Sequence, residues 1–277
     1  VKRMRESVLP NFNKHDYLAT YRILDKHVTE SGNDFEYEFV DTTKVIQISE
    51  AVKTAIYGDV HQQINELKAL YEIAKSKGVT DHILIGDYLD KGDEASMKET
   101  IKFVYDECTS GNMKLIRANH EEYVFRHLID LKYFYEENEE TQYFTSLKFL
   151  MDPKNEEYKN MFFDLMDEHT YDYAFLKNEH NFLYATHSPC EEKYLGKHSP
   201  KALKMSRNTR FFKEVDGVKL KAIESLGDIL KEASSNKPQH IFGHVEVGSA
   251  FHVYKNKIAI DTGCVSGGDL TAIIVDP

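Results

Sequence analysis

Side chains that can bind metal ions recur in five short blocks of this chain, and each block directly follows an apolar run. The blocks are Gly58-Asp59-Val60-His61, Gly86-Asp87-Tyr88-Leu89-Asp90-Lys91-Gly92, Asn119-His120-Glu121, Thr186-His187 and Gly243-His244. The preceding runs are predicted to form the strands Thr54–Tyr57, His82–Ile85, Lys114–Ala118, Asn181–Ala185 and His240–Phe242. Because an α/β sheet presents its ligand site at the carboxyl ends of its strands, we expect the blocks to meet at one edge.

These blocks supply a mixed set of oxygen and nitrogen ligands. The predicted ligands are Asp59, His61, Asp87, Asn119, His187 and His244. Such a set suits two divalent first-row metal ions a few ångströms apart, with the Asp87 carboxylate between them. Two ions in this arrangement polarise a phosphate oxygen and lower the pKa of a bridging water, giving a hydroxide for in-line attack. The sequence therefore predicts metal-dependent hydrolysis of phosphate esters.

A candidate proton donor lies beside the ligands. His120 follows Asn119, and Asp90 lies three positions after Asp87. A carboxylate that orients an imidazole also favours its protonated form, and a protonated histidine can serve as the general acid for a leaving oxygen. We therefore expect His120 and Asp90 to act as a pair, with a purely supporting role for His120 as the alternative.

A phosphate substrate also needs cationic donors. Lys91 and Arg117 flank the metal blocks, and Arg207 and Arg210 follow the His187 strand. Arginine offers a bidentate fork whereas lysine offers a point charge. We expect Lys91 and Arg207 to bind phosphate, with help from the Asn119 amide, whereas Arg117 could equally anchor the loop and Arg210 could be a surface residue.

The bulk composition limits the possible classes of protein. The 277 residues are 41% hydrophobic and 29% charged, with a formal net charge of −11, which disfavours extended binding to nucleic acid but not action on a phosphorylated end. No apolar stretch is long enough to span a bilayer, so we expect no membrane partner. Three widely spaced cysteines argue against a disulfide framework and favour a cytoplasmic setting.

The elements that position these blocks alternate between strand and helix. Helices are predicted over Gln63–Lys77 and Ala95–Cys108, where apolar residues recur at helical spacing, so the sheet should be largely parallel. Residues 121–180 should be mostly helical and either pack over one side of the sheet or cap the site. The three final strands, Ala250–Tyr254, Lys257–Asp261 and Thr271–Val275, are predicted to form a short antiparallel set.

The first part of the chain lacks this chemistry. A helix is predicted over Asp16–Thr29 and a strand over Phe35–Val40. We therefore divide the chain into an N-terminal segment, residues 1–50, and a catalytic domain, residues 51–277. A chain that begins at Val1 is expected to be a fragment of a longer protein.

Together the blocks resemble the calcineurin-like metallophosphoesterases, and within them the PPP-type phosphatases. The family pattern is Gly-Asp-x-His-Gly, Gly-Asp-x-x-Asp-Arg-Gly, Gly-Asn-His-Glu, a later strand-end His, and Gly-His. The segment from Asp261 to Thr271 is similar to the family's closing segment, so the match runs from about Lys53 to Val275.

This resemblance implies a four-layer α/β/β/α sandwich with a helical insertion, and a dinuclear centre of Mn²⁺ or of iron and zinc, with nickel or magnesium as further options. The implied ligands of one ion are Asp59, His61 and Asp87. Those of the other ion are Asp87, Asn119, His187 and His244. His120 with Asp90 becomes the acid pair for the leaving group.

The sequence departs from the family pattern at three positions. Gln62 stands where the family has glycine after the first histidine, so the backbone of that loop should differ. Ala118 replaces the glycine before Asn119, and Lys91 replaces the arginine that grips the substrate phosphate. Arg207 could supply the missing planar fork.

A finer resemblance concerns the substrate. His187-Ser188-Pro189, Tyr194-Leu195-Gly196-Lys197 and Ser206-Arg207-Asn208 are similar to the phosphatase domain of bacterial polynucleotide kinase–phosphatases. The segment from Lys2 to Ile23 resembles the end of a P-loop kinase, which would make this chain part of a kinase fusion. The implied substrate is a nucleic-acid end bearing a 3′-phosphate or a 2′,3′-cyclic phosphate, and the enzyme would serve nucleic-acid repair.

Three alternatives remain open. Two keep the chemistry and change the substrate: a Ser/Thr phosphoprotein phosphatase and a dinucleoside tetraphosphate hydrolase. The third is a non-catalytic scaffold that presents a partner surface, which would predict a broken ligand set. A groove lined by Lys197, Lys201, Lys204 and Arg207 would favour nucleic acid.

Overall fold

The fold is described by a computed structural model, which covers most of the chain after residue 43. The described residues are 21–25, 36–39, 44–129, 145–179, 181–207, 214–215, 218–219, 230–231 and 233–276. Among them, no helix is long and apolar enough to cross a bilayer.

Six α-helices are described, and the first two match the predicted ones closely. They are α1 (Ile64–Ser76), α2 (Glu94–Thr109), α3 (Asn119–Ile129), α4 (Thr145–Met151), α5 (Glu156–Asp164) and α6 (Pro200–Arg207). Helix α2 begins where the Asp93 side chain accepts a hydrogen bond from the Ser96 amide, which satisfies one of the free N–H groups of the first turn. A π-helical turn, Leu165–His169, follows α5.

The strands form two larger sheets and two short hairpins. In chain order they are β1 (Tyr21–Asp25), β2 (Glu36–Phe39), β3 (Val45–Gln47), β4 (Lys53–Tyr57), β5 (Val79–Leu84), β6 (Met113–Ile116), β7 (Thr170–Tyr171), β8 (Tyr173–Lys177), β9 (Phe182–Thr186), β10 (Glu214–Val215), β11 (Val218–Lys219), β12 (Gln239–Phe242), β13 (His252–Tyr254), β14 (Lys257–Ala259) and β15 (Ala272–Val275). The five-stranded sheet has the order β15-β4-β5-β6-β7, and the six-stranded sheet the order β13-β14-β12-β9-β8-β3.

Both sheets are rich in parallel pairs, which brings the carboxyl ends of their central strands together. Strands β4, β5, β6 and β7 pair in parallel, as do β9, β12 and β14. Each of the five metal-ligand blocks follows one of these parallel strands. The predicted α/β fold class is confirmed.

Two apolar cores separate the layers. One core lies between the sheets and contains isoleucines from both, among them Ile56, Ile83 and Ile241. The other packs the helices on the five-stranded sheet and includes Leu67, Ile101 and Phe162. Helices α3, α4 and α5 therefore cover one face of that sheet.

The predicted antiparallel set at the end of the chain is wrong in one respect. Strands β13 and β14 pair antiparallel as expected, but β15 pairs with β4 in the other sheet. The chain can cross between sheets because Gly263 and Gly267 have φ angles of 69° and 89°, in the left-handed region that glycine adopts readily. Strand β14 already has β12 and β13 on its two sides.

The N-terminal segment also departs from the predictions. Tyr21–Asp25 is a strand within the predicted helix Asp16–Thr29, paired antiparallel with Glu36–Phe39. Its alternating Tyr21, Arg22 and Ile23 suit a strand, so pairing across the hairpin outweighs local helix propensity. The rest of that predicted helix lies outside the described residues.

Strand β3 bears on the proposed boundary at residue 50. Val45–Gln47 falls within the segment set apart as residues 1–50, yet it is the edge strand of the six-stranded sheet beside β8. Ile46 and Ile48 are buried between the sheets, and this apolar anchoring explains the placement. The domain division otherwise stays a prediction.

The loop after β4 accommodates Gln62 at the position where glycine was expected. Gln62 has a φ of 63°, so its backbone adopts the left-handed conformation that glycine favours, and its amide nitrogen donates to the Met97 sulfur. A Cβ added at Gly92 would overlap the Gln62 side chain and approach the Ser96 hydroxyl. The absence of a side chain at Gly92 thus leaves room for the Gln62 side chain.

We predict that Gly92→Ala destabilises the protein by about 1–3 kcal/mol, because the added methyl group overpacks this space. The double variant Gln62→Gly/Gly92→Ala should lose less free energy of unfolding than the two single variants lose together. The expected difference is about 0.5–3 kcal/mol. Urea unfolding of all four proteins measures the cycle. If the losses in free energy of unfolding simply add, Gln62 does not pack against Gly92 in this way.

Candidate metal centre

Backbone conformation at the centre is unusual for residues other than glycine. Seven non-glycine residues have positive φ in the part of the chain that the structure describes. Six of them belong to the metal-ligand blocks or stand directly beside a ligand: His61, Gln62, Asp87, Asp90, Lys91 and His244. Such conformations cost free energy and persist only where surrounding contacts hold them, and they cluster at functional sites.

Three lone pairs converge at the first part of the centre. The His187 Nδ1 atom lies 2.9 Å from the Ile85 carbonyl oxygen, so Nδ1 carries the proton and Nε2 carries a lone pair. Burial lowers the pKa of His187, which keeps the ring neutral. This Nε2 atom lies 2.8 Å from Asn119 Oδ1 and 3.5 Å from Asp87 Oδ2, which are both acceptor oxygens. Three acceptors directed at one another fit a cation between them.

His244 joins this group. Its ring packs edge-on against that of His187 with centroids 5.0 Å apart. One candidate ligand atom each from Asp87, His187 and His244 lies within 4.8 Å of the other two. All four predicted ligands of the second ion are therefore adjacent.

His61 and Lys91 form the other side of the centre. The His61 Nδ1 atom lies 3.0 Å from the Leu89 carbonyl oxygen, which leaves the lone pair on Nε2. That Nε2 atom is 3.7 Å from Asp87 Oδ2 and 2.9 Å from Lys91 Nζ. The exposed Lys91 ammonium thus donates to the His61 lone pair that an ion would use. Ion binding at His61 therefore requires this hydrogen bond to break.

Asp59 is held by the loop that carries His244. The His244 amide donates to both carboxylate oxygens of Asp59, at 3.1 Å each. Burial and the nearby Asp261 and Asp87 carboxylates raise the pKa of Asp59 well above its ordinary value. A divalent cation would offset this repulsion.

Gly243 is required for the contact between Asp59 and the His244 loop. A Cβ at Gly243 would overlap Asp59 Oδ1 and come within 2.9 Å of the Ile85 Cδ1 atom. The Gly-His block therefore needs glycine for close approach.

The predicted acid pair is in contact. His120 Nδ1 lies 2.8 Å from Asp90 Oδ2, and His120 Nε2 lies 3.8 Å from Asp87 Oδ2, on the side of the metal ligands. Although burial opposes protonation, Asp87 and the hydrogen bond to Asp90 raise the pKa of His120 to about 9. These contacts favour the protonated imidazole.

The two arginines have carboxylate partners. Arg117 Nη1 donates to Glu122 Oε2 at 2.9 Å. Arg207 is buried, donates to Asp172 Oδ1, and has its Nη1 atom 3.8 Å from Glu122 Oε1. Of the four predicted phosphate-binding residues, Arg117 and Arg207 thus pair with protein carboxylates, whereas Lys91 and Asn119 lie among the metal ligands. Arg210 lies outside the described residues.

Several supporting residues carried no sequence signal that assigned them a role. The buried Glu121 carboxylate accepts hydrogen bonds from the amides of Asp87 and Leu89, at 2.9 and 3.0 Å, and so fixes the loop that carries Asp87. Asp261 lies close enough to Asp59 to raise the pKa of that carboxyl group. Glu121 follows His120 directly, so only its place in the block could have suggested its importance.

A second supporting set lies behind His187. The buried Lys257 ammonium contacts Glu192 at 2.7 Å and His240 Nδ1 at 3.1 Å. His240 Nε2 in turn contacts the hydroxyl of Thr186, which donates to the Ser188 carbonyl oxygen. This chain of polar contacts braces the residues on both sides of His187.

The donor set fits the two divalent ions expected from the sequence. Carboxylate, amide oxygen and neutral imidazole ligands suit Mn²⁺, Fe²⁺ and Zn²⁺. The converging acceptors at His187 and the mutually repelling carboxylates at Asp59 both favour a cation. Asp59, His61 and Asp87 would hold one ion, and Asp87, Asn119, His187 and His244 the other.

Comparisons with known proteins agree with this fold. No family model matches the chain. A curated relative, the Candida albicans serine/threonine-protein phosphatase PP2A-like PPG1, is 30% identical over 88 residues, which are 30% of this chain and 20% of that protein. The chain thus matches about a fifth of that relative's length.

Solved structures match over more of the chain. A crystal structure provisionally assigned as a diadenosine tetraphosphatase superposes with a TM-score of 0.53 and 16% identity, covering 84% of this chain and 94% of the other. A Saccharomyces cerevisiae serine/threonine phosphatase similar to human phosphatase PP5 gives a TM-score of 0.45 and 17% identity, covering 85% and 76%. The chain therefore shares its α/β fold with the structure assigned as a diadenosine tetraphosphatase.

Gly243→Ala should weaken metal binding, because its methyl group would displace the Asp59 carboxylate. We predict that Mn²⁺ affinity, measured by titration calorimetry, falls by about 10- to 100-fold, as for other changes to residues that orient metal ligands. Gly111→Ala is the control for lost stability alone: its φ of 82° strains an added side chain, but the new Cβ meets no atom within 4 Å, so Mn²⁺ affinity should be unchanged. Unchanged affinity in a folded Gly243→Ala protein would contradict the role given to Asp59.

Arg207→Met should act mainly on stability. Removing the guanidinium leaves Asp172 buried beside Glu122 without its cationic partner, which typically costs about 3–5 kcal/mol. Urea unfolding measures the loss. A fully stable variant with a raised KM would instead support direct phosphate binding by Arg207.

Proposed function

We propose that this chain is a metal-dependent phosphomonoesterase whose centre holds two divalent ions against a phosphate ester. One observation carries the proposal: His187 Nε2, Asn119 Oδ1 and Asp87 Oδ2 converge without a proton between them, next to the His120–Asp90 pair. A binding scaffold would have no need for an acid pair directed at the ion site.

The residues of the chain divide the work of hydrolysis. When bound, the ions would supply Lewis-acid polarisation of the phosphate and an activated water. Lys91 offers an exposed ammonium beside His61, and on its release it can donate to a phosphate oxygen. This single point charge replaces the bidentate arginine clamp, so orientation of the phosphate depends more on the ligand side chains.

His120 completes the reaction on the leaving side. Its Nδ1–H bond to Asp90 fixes the ring, and the protonated Nε2 faces the centre. As the water oxygen bonds to phosphorus and the ester P–O bond breaks, His120 gives its Nε2 proton to the leaving oxygen. The products are an alcohol and inorganic phosphate.

For the substrate, we propose a nucleic-acid end with a 3′-phosphate or 2′,3′-cyclic phosphate. The support is the similarity of the segments around His187 and Arg207 to the phosphatase domain of polynucleotide kinase–phosphatases. The basic groove that would favour such a substrate has weaker support, because Arg207 is buried against Asp172 and Glu122. Lys197 is exposed, and the side chains of Lys201 and Lys204 lie outside the described set.

Two other substrates have specific support. The solved structure assigned as a diadenosine tetraphosphatase is covered over 94% of its length, which favours dinucleoside tetraphosphate hydrolysis. The curated serine/threonine phosphatase favours a phosphoprotein. Mn²⁺ as the ion, a cytoplasmic location, nucleic-acid repair and a fused kinase domain are further proposals.

The chemistry is tested with chelator-treated protein and Mn²⁺ on an aryl phosphate. We predict turnover that Asp87→Asn reduces at least about a hundredfold, because the shared carboxylate loses its charge. The control is His252→Ala, which changes an exposed histidine on β13 and should be as active as wild type. No phosphate release by wild type with any divalent ion would reject the proposal.

The substrate is tested by comparing kcat/KM for three compounds. These are an oligonucleotide with a 3′-phosphate, a phosphoserine peptide and diadenosine tetraphosphate. We expect the oligonucleotide to be preferred by at least about tenfold, a difference of about 1.4 kcal/mol in transition-state binding. Preference for either other compound would replace the nucleic-acid proposal while leaving the chemistry intact.

A further inference from the structure

Asp90, the partner of His120, is fixed by a residue distant in sequence. The Asp90 side chain is fully buried, and its φ of 65° lies in the left-handed region. One carboxylate oxygen, Oδ2, contacts His120. The other oxygen, Oδ1, accepts hydrogen bonds from Ser146, which lies 56 positions later.

Ser146 contacts Asp90 in three ways. Its amide donates to Asp90 Oδ1 at 3.0 Å, and its hydroxyl donates to the same oxygen. The Asp90 amide donates back to the Ser146 hydroxyl oxygen at 3.1 Å. Both the backbone and the carboxylate of Asp90 are therefore held, and rotation of the carboxylate would break two hydrogen bonds.

Ser146 itself is firmly placed. It is fully buried as the second residue of α4, and its neighbours Leu147 and Leu150 belong to the core between the helices and the five-stranded sheet. Its amide is one of the N–H groups that a helix leaves free in its first turn, so the Asp90 carboxylate satisfies it. Packing of α4 is thereby transmitted to Asp90.

We propose that Ser146 is a positioning residue for proton transfer to the leaving group. By fixing the orientation of the Asp90 carboxylate, it directs His120 Nε2 towards the metal centre. The inference rests on the proposed function, because it needs His120 as the proton donor. It gives the helical insertion a task in the reaction besides covering the sheet.

The dependence of rate on the leaving group tests this role. General-acid catalysis matters for a poor leaving group such as phenol and little for 2,4-dinitrophenol, whose oxygen leaves without a proton. We predict that Ser146→Ala lowers kcat for phenyl phosphate by about 10- to 100-fold, at the low end of the range for general-acid catalysis. With 2,4-dinitrophenyl phosphate kcat should change less than about threefold, since proton donation contributes little there.

Two further variants separate a specific effect from a structural one. Thr100→Val removes another fully buried hydroxyl, in α2, and should leave both rates near those of wild type. If Ser146→Ala does not fold, Ser146→Cys keeps the volume and weakens the hydrogen bonds, and the same selective loss is expected. A folded Ser146 variant with wild-type rates, or with equal losses on both substrates, would overturn the inference.

His120→Ala distinguishes failure of the inference from failure of the proposed function. If His120→Ala shows the selective loss and Ser146→Ala does not, Ser146 alone is misassigned. If His120→Ala loses rate equally on both substrates, the role of His120 as proton donor is wrong, and the inference falls with it.

Discussion

The centre depends on one constraint: the lone pairs of His187 Nε2, Asn119 Oδ1 and Asp87 Oδ2 converge without a proton between them. His187 donates its only proton to a backbone carbonyl, so its other nitrogen faces the Asn119 and Asp87 oxygens. His61 uses its proton in the same way, and the Lys91 ammonium lies beside its remaining lone pair. Such crowding is unfavourable in a protein without bound cations, and divalent ions would turn it into coordination.

The rest of the fold keeps these groups together against their repulsion. Parallel strands of two sheets bring the blocks to a common edge, and an isoleucine-rich core joins the sheets beneath them. Left-handed backbone at Asp87, Asp90 and His244 turns the side chains inward. Glu121 and Ser146 then hold the loop between Asp87 and Asp90 from the helical side. Hydrogen bonds from backbone amides to buried carboxylates thus hold these loops in place.

Much of the centre was predictable because its ligands are local to strand ends. Asp87, Asn119 and His187 each follow an apolar run, and parallel pairing brings them together without further information. Ser146 was not predictable, since its contact with Asp90 spans 56 positions and arises from how α4 packs. Arg207 was expected to bind phosphate from its guanidinium fork and its position after the His187 strand, but the sequence did not reveal that Asp172 lies beside it. Strand β15 was assigned to the wrong sheet because apolar alternation identifies a strand but not its partner.

If both predicted ions bind, the Asp87 carboxylate would be shared between them. Electron paramagnetic resonance of the Mn²⁺-loaded protein tests it most directly, because two ions about 4 Å apart are spin-coupled. We expect a coupled spectrum in wild type and its loss in Asp87→Asn, with the fold retained. A spectrum of isolated ions in wild type, or the absence of bound Mn²⁺, would contradict it.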